Sequence, residues 1–584
     1  MATQVSYPGI YIQEFTPGAP IQGVGTSTPA FIGTATSGPA NQPTFLTSWD
    51  EFQKVFGGFI AEPANLDATK RSWLAPAVYG FFLNGGTGCY IVRAVKLGAG
   101  TSLFASWNLS DAVPQPELVA TSIAEGNVGN SISVSVQPSS RLSDMLGAPG
   151  ATLTATAPLN TTDITIPVDL SAVPAAFVLS QALPAGALIQ VGGKEFVTVA
   201  STSVNTATKT GTIVLTTGLL NAYSPAPKIA SIEWELDVKA ATSEKWVQLS
   251  MNPLHPGYWK TAVKSQLIAL SLPQTAPAST PNPTPVSTAS ATTGTDDDRL
   301  ADLNDIDSNP TAYLDLLKPL QDVEIVAIPG DTNVNAQQAL IAHCENLFNR
   351  FAVLDATPDS SVGFANLQAQ YGQVRTTNGF AAIYFPWIQV VNPLTASTEY
   401  WPPSGHVIGI YAQTDQRVGV YKAPANVPIA GALGVQSLLS DNDQGPLNLL
   451  GINILRVFPE QSQPLVFGAR TTSTDASWQY VNIRRLFIFL EQSIVRGIRW
   501  ALFGVNNQNL WGSLKRTITE FLNRVKSDGG IIDFYVRIDA ALNPPAVQAL
   551  GQLYIEVGIQ PAYPAEFIIL RIGIWQGGSS VTEG

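Results

Sequence analysis

The chain has 584 residues, more than one hydrophobic core usually organises, so several domains are expected. Its formal net charge of −12 argues against nucleic-acid binding as the main role. Charged residues make up only 13% of the chain, about half the usual share. This indicates either extensive burial against other chains or a β surface rich in Thr, Ser and Asn.

The two cysteines and the N-terminus favour a protein made in the cytoplasm. Cys89 and Cys344 are far apart in sequence and form no disulfide framework, which fits a reducing compartment or simple core filling. The N-terminus lacks a basic-then-apolar signal segment, and no apolar run reaches the roughly 18 residues of a membrane span. We therefore expect a soluble protein that assembles in the cytoplasm.

Residues 7–20, YPGIYIQEFTPGAP, contain an apolar strand close to the N-terminus. Ile10 and Ile12 point to one side of it, and Tyr11 and Gln13 to the other, as period 2 requires. Flanking Pro-Gly pairs prevent a tight two-residue hairpin. Because an unpaired apolar edge invites association, this strand must pair with another sheet.

The first domain, residues 1–97, mixes strands with a helix. Strands are predicted at Pro29–Thr36 and Gly88–Val95, and SWDEFQKVFGGF reads as a helix capped by Ser48 or Asp50. A further strand, at Asn130–Val136, falls in an outer domain that covers residues 98–144 and 229–271.

Residues 145–228 interrupt that outer domain. Only six of these 84 residues are charged, and Thr, Ala, Val and Gly dominate. Alternating segments such as DITIPVDL and GTIVLTT predict a small all-β inserted domain. A linker rich in Pro, Thr and Ser follows at residues 272–298.

The remainder of the chain predicts an α/β domain at residues 299–469 and a C-terminal domain at residues 470–584. Val323–Gly330, a helix near Asn335–Phe351 and Ala352–Thr357 form a β-α-β unit with a parallel sheet. The C-terminal domain has two predicted helices followed by two predicted strands, in this order: Trp478–Phe503, Leu510–Asp528, Gln552–Ile559 and Glu566–Trp575.

The sequence predicts no catalytic centre and no metal or cofactor site. The three histidines, His255, His343 and His406, are scattered, and no G-x-S-x-G motif occurs. Ser404 follows two prolines and is predicted to cap a helix rather than act with His406. Asp296–Asp307 is rich in carboxylates but lacks the glycine and closing glutamate of a calcium loop, so we predict a solvated helix start.

Basic residues cluster on the two C-terminal helices of an otherwise acidic chain. Residues 478–526 contain eight Lys and Arg and two acidic residues. Arg485, Arg496 and Arg499 fall within about 60° of helical arc, and Lys515, Arg516 and Lys526 lie opposite or beside the apolar stripe of the second helix. This pattern fits either a solvated face or a surface that docks onto an acidic partner.

Several stretches, in order along the chain, together resemble contractile tail sheath proteins, and most closely those of extracellular contractile injection systems. They cover most of the chain outside the inserted domain and the linker. The stretches are Tyr7–Gly33, Trp246–Pro253, Val323–Gly330, Pro402–Asn426, Gly451–Phe458, Val466–Thr472, Trp478–Phe503 and Gln560–Ile572.

The resemblance implies an α/β, or α+β, multidomain fold. Its sheath core is built from the N- and C-terminal parts, its middle domain is subtilisin-like without a triad, and the small all-β domain is a decoration. It also implies that terminal strands are exchanged between subunits. The residues assigned to this exchange are Ile10, Tyr11, Ile12, Glu14, Leu553, Ile555, Val557, Phe567, Ile569, Arg571 and Ile574.

By the same resemblance the chain is a structural sheath subunit, not an enzyme, of a contractile phage tail-like injection system. It would form a helical homo-oligomer around an inner tube protein, with the six basic residues above facing that tube. Baseplate and terminal cap proteins would be further partners, without nucleic acid or cofactor, and a membrane would be met only as the target. The finished particle would be extracellular, membrane-anchored or a virion.

Four alternatives remain open from the sequence. They are the tail sheath of a contractile bacteriophage, a secretion-system sheath made from two polypeptides, a serine hydrolase with a degraded motif, and a secreted β-rich adhesin.

Overall fold

Alternating strands and helices give the chain a mixed α/β multidomain fold, as predicted. The computed structural model describes residues 21–61, 66, 70–96, 103–110, 116–273, 282–283, 285–289, 291–294 and 299–573. Ile10, Tyr11, Ile12, Glu14 and Ile574 lie outside the described residues. The chain divides into two compact units, one made of Met1–Val95 with Arg299–Gly584 and the other of Lys96–Asp298.

The first unit begins with three strands and two helices. The predicted helix is present, with the Ser48 side chain accepting a hydrogen bond from the Glu51 amide. These elements are β1 (Pro29–Gly33), β2 (Thr44–Leu46), α1 (Trp49–Phe56), α2 (Leu74–Leu83) and β3 (Cys89–Arg93).

The second unit is mostly β. Its elements are β4 (Phe104–Ser110), β5 (Pro116–Glu125), α3 (Gly126–Asn130), β6 (Ser133–Ser139), α4 (Arg141–Leu146), β7 (Leu153–Thr154), β8 (Thr165–Asp169), α5 (Leu179–Ala182), β9 (Leu188–Val191), β10 (Glu195–Asn205), β11 (Thr210–Leu215), β12 (Lys228–Ser231), β13 (Glu233–Lys239), β14 (Ser243–Leu249), α6 (Trp259–Ala262), β15 (Ile268–Ser271) and β16 (Ala291–Thr292).

The chain then returns to the first unit. The elements there are α7 (Arg299–Ser308), α8 (Pro310–Asp315), β17 (Ile325–Ala327), α9 (Val334–Leu347), β18 (Phe351–Asp355), α10 (Ala365–Val374), β19 (Ala381–Phe385), β20 (Ile388–Val391), β21 (Thr398–Trp401), α11 (Ser404–Arg417), β22 (Val427–Pro428), β23 (Ala432–Val435), α12 (Asp441–Leu450), β24 (Ile452–Arg456), β25 (Leu465–Val466), α13 (Val481–Gly497), α14 (Gln508–Ser527), β26 (Ile531–Arg537), α15 (Pro545–Ala549) and β27 (Glu556–Pro561).

A nine-stranded sheet organises the first unit, in the order β2-β3-β1-β17-β18-β19-β24-β25-β22. The six strands from β3 to β24 run parallel, and the predicted β-α-β unit is β17-α9-β18. The chain passes from β1 to β3 on one side and later returns to β17 on the other side of β1. The strand order therefore reverses between β1 and β17, next to the central strand of the fold.

The inserted segment of the second unit forms a six-stranded sheet, β7-β12-β9-β10-β11-β8, around its own apolar core. It leaves and re-enters between neighbouring strands, because β6 and β13 pair antiparallel with Ser139 opposite Glu233. The hydroxyl groups of Ser140 and Ser231 lie 3.0 Å apart. A folded β domain is thus inserted at the turn that connects the antiparallel strands β6 and β13.

The C-terminal helices and hairpin share a separate apolar core. The predicted stripe of α14 is buried, with Leu514, Ile518 and Leu522 each at most 1% exposed. The Asn507 side chain caps this helix by accepting from the Leu510 amide at 3.1 Å. Strand β27 pairs antiparallel with β26, a strand that the sequence reading missed.

Two expectations about the C-terminal strands differ from the structure. The strand predicted at Gln552–Ile559 begins only at Glu556. Residues 562–573, which include most of the strand predicted at Glu566–Trp575, have no strand partner among the described residues. A strand is formed only where the backbone pairs with a second strand, and in the described part of the chain these residues pair with none.

Candidate assembly surfaces

The hairpin β26–β27 forms a sheet of only two strands. Leu553, Ile555 and Val557, three of the predicted exchange residues, alternate along the chain and pack partly buried against the C-terminal core. A two-stranded sheet leaves one edge of each strand without a neighbour. The hairpin therefore has edges, within the described residues, that could accept a further strand.

The segment that follows the hairpin is apolar and exposed. Side-chain exposure is 69% for Phe567, 87% for Ile568, 83% for Ile569, 77% for Leu570 and 85% for Ile572. Full burial of one such side chain stabilises by about 1.5–3 kcal/mol, so covering all five is worth on the order of 10 kcal/mol. Four consecutive exposed apolar residues, followed after Arg571 by Ile572, indicate an interaction surface.

Glu566, just before this run, is held firmly to the body of the chain. Its carboxylate accepts two bonds from Arg470, from Nε at 2.8 Å and from an Nη at 2.6 Å. It also accepts from Asn448 at 2.8 Å and from the Tyr480 hydroxyl at 2.9 Å. Partial burial opposes ionisation, but these donors outweigh it and lower the pKa of Glu566. We call these four residues the Glu566 clamp.

The clamp borders a groove of about 620 Å³. Tyr421, Phe467 and Ala469 line one part of it, and residues 562–568 of the C-terminal segment line another. The rings of Tyr480 and Tyr563 meet edge to face at 6.2 Å. The segment thus leaves the body at a defined place, between the clamp and this groove.

The six predicted tube-facing residues divide into two groups. Arg485 is only 3% exposed and forms a bidentate ion pair with Asp415, with distances of 3.0 and 2.6 Å. It also donates to the Thr26 carbonyl at 2.7 Å. This placement gives Arg485 a role inside the protein, because its charge is satisfied and covered.

The other basic residues lie nearer the surface. Arg499, Lys515, Arg516 and Lys526 are exposed, whereas Arg496 is half-buried and donates to the Gln321 carbonyl. Lys526 also pairs with Asp533 at 2.8 Å. Four of the six predicted residues are therefore exposed cations, three on α14 and one in the turn after α13.

Ser404, the serine considered beside His406, belongs to a structural hydrogen-bond network. The Ser404 hydroxyl donates directly to Asp355 at 2.7 Å, and the Ser404 and Gly330 amides donate to the same carboxylate at 2.9 and 2.8 Å. Ser404 is the first residue of α11, and Pro403 is in the N-cap position without a side-chain hydrogen bond. The prediction that Ser404 caps this helix was wrong. Burial lowers the pKa of His406 to about 4, so its imidazole is neutral.

The described part of the chain has neither a cluster of metal-binding side chains nor a membrane-spanning helix. It contains no group of three or more His, Cys, Asp or Glu side chains arranged to hold a metal ion. None of its helices combines the length and the apolar character that crossing a membrane requires.

Two protein-family models match consecutive parts of the chain. Residues 309–472 match the phage tail sheath protein central domain, and residues 473–574 match the phage tail sheath C-terminal domain. Together they include the parallel strands from β17 onward, the Glu566 clamp and both basic helices.

Curated relatives are tail sheath proteins. A putative prophage major tail sheath protein of Pseudomonas aeruginosa (strain UCBPP-PA14) is 26% identical over 264 residues, covering 43% of this chain and 64% of the relative. The tail sheath protein of Vibrio phage KVP40 is 29% identical over 231 residues, covering 35% of this chain and 33% of the relative. The chain thus spans about one third to two thirds of the length of these relatives.

Solved structures match over nearly the whole chain. The PVC sheath complex of an extracellular contractile injection system, in its contracted state, covers 98% of both chains with a TM-score of 0.51 and 19% identity. The contracted helical sheath of the anti-feeding prophage covers 98% of this chain and 99% of its own, with a TM-score of 0.51 and 17% identity. These likenesses show the fold.

The relatives in both comparisons are structural sheath proteins rather than enzymes, and they are components of phages or of extracellular injection particles. Over residues 309–574 this chain is similar to phage tail sheath proteins, with the central and C-terminal domains of that family matched in order.

Proposed function

We propose that the chain is the structural sheath subunit of a contractile, phage tail-like injection system. It polymerises into a helical cylinder around an inner tube and shortens to drive that tube through a target membrane. The observation that carries this proposal is the exposed apolar segment Phe567–Ile572 beside a hairpin with open edges.

Strand addition is the form of contact that these two features support. The segment Phe567–Ile572 of one copy would pair along an open edge of β26 or β27 in a neighbour. Main-chain hydrogen bonds then supply affinity, and alternating side chains set the register. Residues 10–14 would add a further strand to the same shared sheet. Such a head-to-tail contact does not close on itself, so it propagates as an open helix.

Contraction follows from the way the segment is fastened. The Glu566 clamp holds one end of the donated strand to a rigid body, while the residues after it belong to the neighbour's sheet. Subunits can then rotate and repack while the strand links hold the lattice together. The work would come from newly buried surface and from better charge pairing, without consumption of a nucleotide.

The exposed basic residues Arg499, Lys515, Arg516 and Lys526 are proposed to face an acidic inner tube. The charge of Arg485 is committed to Asp415, so this residue supports the position of α13 instead. Baseplate and terminal cap proteins are the other proposed partners.

One specific observation favours a second candidate, the tail sheath of a contractile bacteriophage. The curated relatives named above belong to a phage and a prophage, whereas the whole-chain structural likenesses named above are to injection particles. Purified particles decide between them, because a phage carries a capsid with nucleic acid and an injection system carries neither.

A matched pair of charge insertions tests the assembly proposal. Ile569→Asp places a carboxylate in the donated segment, and Leu220→Asp places one at an equally exposed site, 83% in both cases, in the inserted domain. We expect Ile569→Asp to remain as single subunits in negative-stain microscopy while Leu220→Asp forms cylinders like the wild type. Normal cylinders from Ile569→Asp would refute strand addition by this segment.

A further inference from the structure

A cavity of about 250 Å³ lies at the point where the strand order of the nine-stranded sheet reverses. Ile32, Gly33 and Thr34, at the end of β1, line one wall. Ile328, Pro329 and Gly330, after β17, line another. In parallel α/β sheets the crevice beyond the carboxyl ends of the strands, at such a reversal, is the usual place for a ligand. This cavity is separate from the assembly surfaces described above.

Two carboxylates meet in this cavity. The side chain of Asp307, near the end of α7, contacts those of Asp331 and Asn333. Asp331 accepts a bond from the Asn333 amide through Oδ1 at 2.8 Å, but its Oδ2 is buried without a hydrogen-bond donor. Two carboxylates in contact repel each other unless a proton or a cation lies between them. The pair therefore needs a shared proton or a bound cation to be stable.

A second buried oxygen, on another residue that lines the cavity, also lacks a hydrogen-bond partner. Thr34 is 2% exposed, and its hydroxyl has no hydrogen-bond partner. Buried polar atoms without a partner are rare, and each calls for a physical explanation such as an ion or a water molecule. Thr34 directly follows β1 and is not part of the acidic stretch, so it is an observation independent of the carboxylates.

Neighbouring charged groups leave the pair unsatisfied. Asp355 is close, but its carboxylate already accepts bonds from Gly330 and Ser404. Lys70 and Arg71 line the cavity, but neither forms an ion pair with Asp307 or Asp331 among the described residues. Lys70 is exposed, and Arg71 points its Nε to the Leu66 carbonyl.

We propose that this cavity binds one divalent cation of the hard, oxygen-preferring kind, Ca²⁺ or Mg²⁺, between Asp307, Asp331 and Thr34. Carboxylate and hydroxyl oxygens are the ligands such ions prefer, and water completes their coordination. A cavity of about 250 Å³ has room for the ion with several water molecules. The proposed site has only two carboxylate ligands, so it is consistent with the absence of clusters of three or more metal-binding side chains in the described residues. It would also give Asp307 a role beyond the solvated helix start that was predicted for Asp296–Asp307.

The cation would fasten α7 to the loop between β17 and α9. Helix α7 is where the chain re-enters the first unit, so this contact helps to close that unit. The inference does not depend on the proposed function, because it concerns the folding of one chain, whether assembled or free.

Terbium luminescence on the full chain tests the site. Tb³⁺ takes the same oxygen ligands as Ca²⁺, and Trp73, which lines the cavity, can sensitise its emission. After treatment with a chelator we expect one Tb³⁺ to bind per chain and to be displaced by Ca²⁺ or Mg²⁺. Asp307→Asn and Asp331→Asn should each weaken binding by about tenfold or more. Glu460→Gln, at an exposed loop carboxylate, should leave it unchanged.

Thermal unfolding provides the second measurement. Addition of Ca²⁺ or Mg²⁺ should raise the unfolding temperature of the wild type, because a ligand that binds only the folded state stabilises it. The rise should disappear in Asp307→Asn, whose amide donates to Asp331 and so keeps the protein folded. Absence of saturable binding, or binding that survives both carboxylate variants, would overturn the proposal and leave a shared proton as the bridge.

Discussion

Glu566 marks the boundary between the part of the C-terminal segment that belongs to its own chain and the part that is free. Before it, Tyr563 packs on Tyr480; after it, five apolar side chains are exposed. The Arg470 guanidinium that pairs with Glu566 is only 5% exposed, so the ion pair is well shielded from solvent on one side. Four donors on one carboxylate fix the point and direction at which the segment leaves.

Glu566→Gln tests the clamp. The amide keeps one acceptor but removes the charge, leaving the covered Arg470 cation without its counter-ion. We expect a local destabilisation of about 2 kcal/mol, less than for a fully buried pair because Glu566 is 20% exposed. Hydrogen exchange should become faster around Tyr563–Glu566, and cylinders should be fewer or shorter.

The matched control is Glu556→Gln, in the hairpin that precedes Glu566. Glu556 pairs with Arg537 at 3.5 Å, and its side chain is 41% exposed, so its loss should change little. Equal effects of the two variants on exchange and on assembly would contradict a special role for Glu566.

At the residue level, the clamp could not be predicted from the sequence. Glu566 and Arg470 are 96 positions apart, and no periodicity links them. The sequence did indicate an apolar, strand-like character for the residues after Glu566. The exclusion of a hydrolase rested on motif absence, but the direct bond from Ser404 to Asp355 is a tertiary contact that only the fold reveals.

At the scale of elements, predictions succeeded where the burial pattern matches a simple period. The apolar stripe of α14 faces one core, and the opposite side of the helix faces solvent. Its apolar residues therefore recur with a period of 3.6, which is visible in the sequence. Helix α2, LAPAVYGFFL, is buried on nearly all sides and shows no stripe, which is why it was missed. Strand β26 contains Asp533 and shows no regular alternation of apolar and polar residues, so the sequence pattern does not predict it. Its pairing with β27 is a tertiary contact.

The same elements present the basic surface. On α13, Arg485 is buried whereas Arg496, on the same side of the helix, is half-buried. A helical wheel does not show this difference. Arg499 and Lys515 remain exposed, the first in the turn after α13 and the second on α14. If they face an acidic tube, their contribution should be electrostatic and should weaken with salt.

Reversing both charges tests this surface. Arg499→Glu with Lys515→Glu should weaken docking of the sheath on its tube by about 1 kcal/mol per residue, because each attraction becomes a repulsion. Assembly on the tube should then need lower ionic strength than the wild type does. Lys194→Glu with Lys209→Glu makes the same charge change in the inserted domain and should leave the salt dependence unaltered. If both pairs behave alike, the tube-facing surface lies elsewhere.

At the scale of the whole molecule, the inserted domain is built as an addition to a sheet that is complete without it. Its sheet, β7-β12-β9-β10-β11-β8, and its apolar core contain no strand of the β6-β13-β14 sheet. The boundary lies slightly outside the predicted residues 145–228, because α4 and β12 belong to the inserted fold. Composition revealed the insertion, but only strand pairing shows that it replaces a hairpin turn.

A two-residue turn should therefore be able to replace the whole insertion. Ser139 and Glu233 are paired neighbours on β6 and β13, so joining them through Asn-Gly satisfies the geometry of a tight hairpin. We expect the shortened chain, lacking residues 140–232, to fold, because the core around Trp234, Leu236 and Val238 does not use the insertion.

Assembly should survive as well, since the Glu566 clamp and the exposed C-terminal segment are untouched. Negative-stain microscopy should show cylinders of normal length that are still able to shorten. The matched control retains the insertion and carries Ile569→Asp, which should give folded single subunits. If the shortened chain instead folds but forms no cylinders, the insertion must itself contact neighbouring subunits, and strand addition alone would be insufficient to hold the lattice.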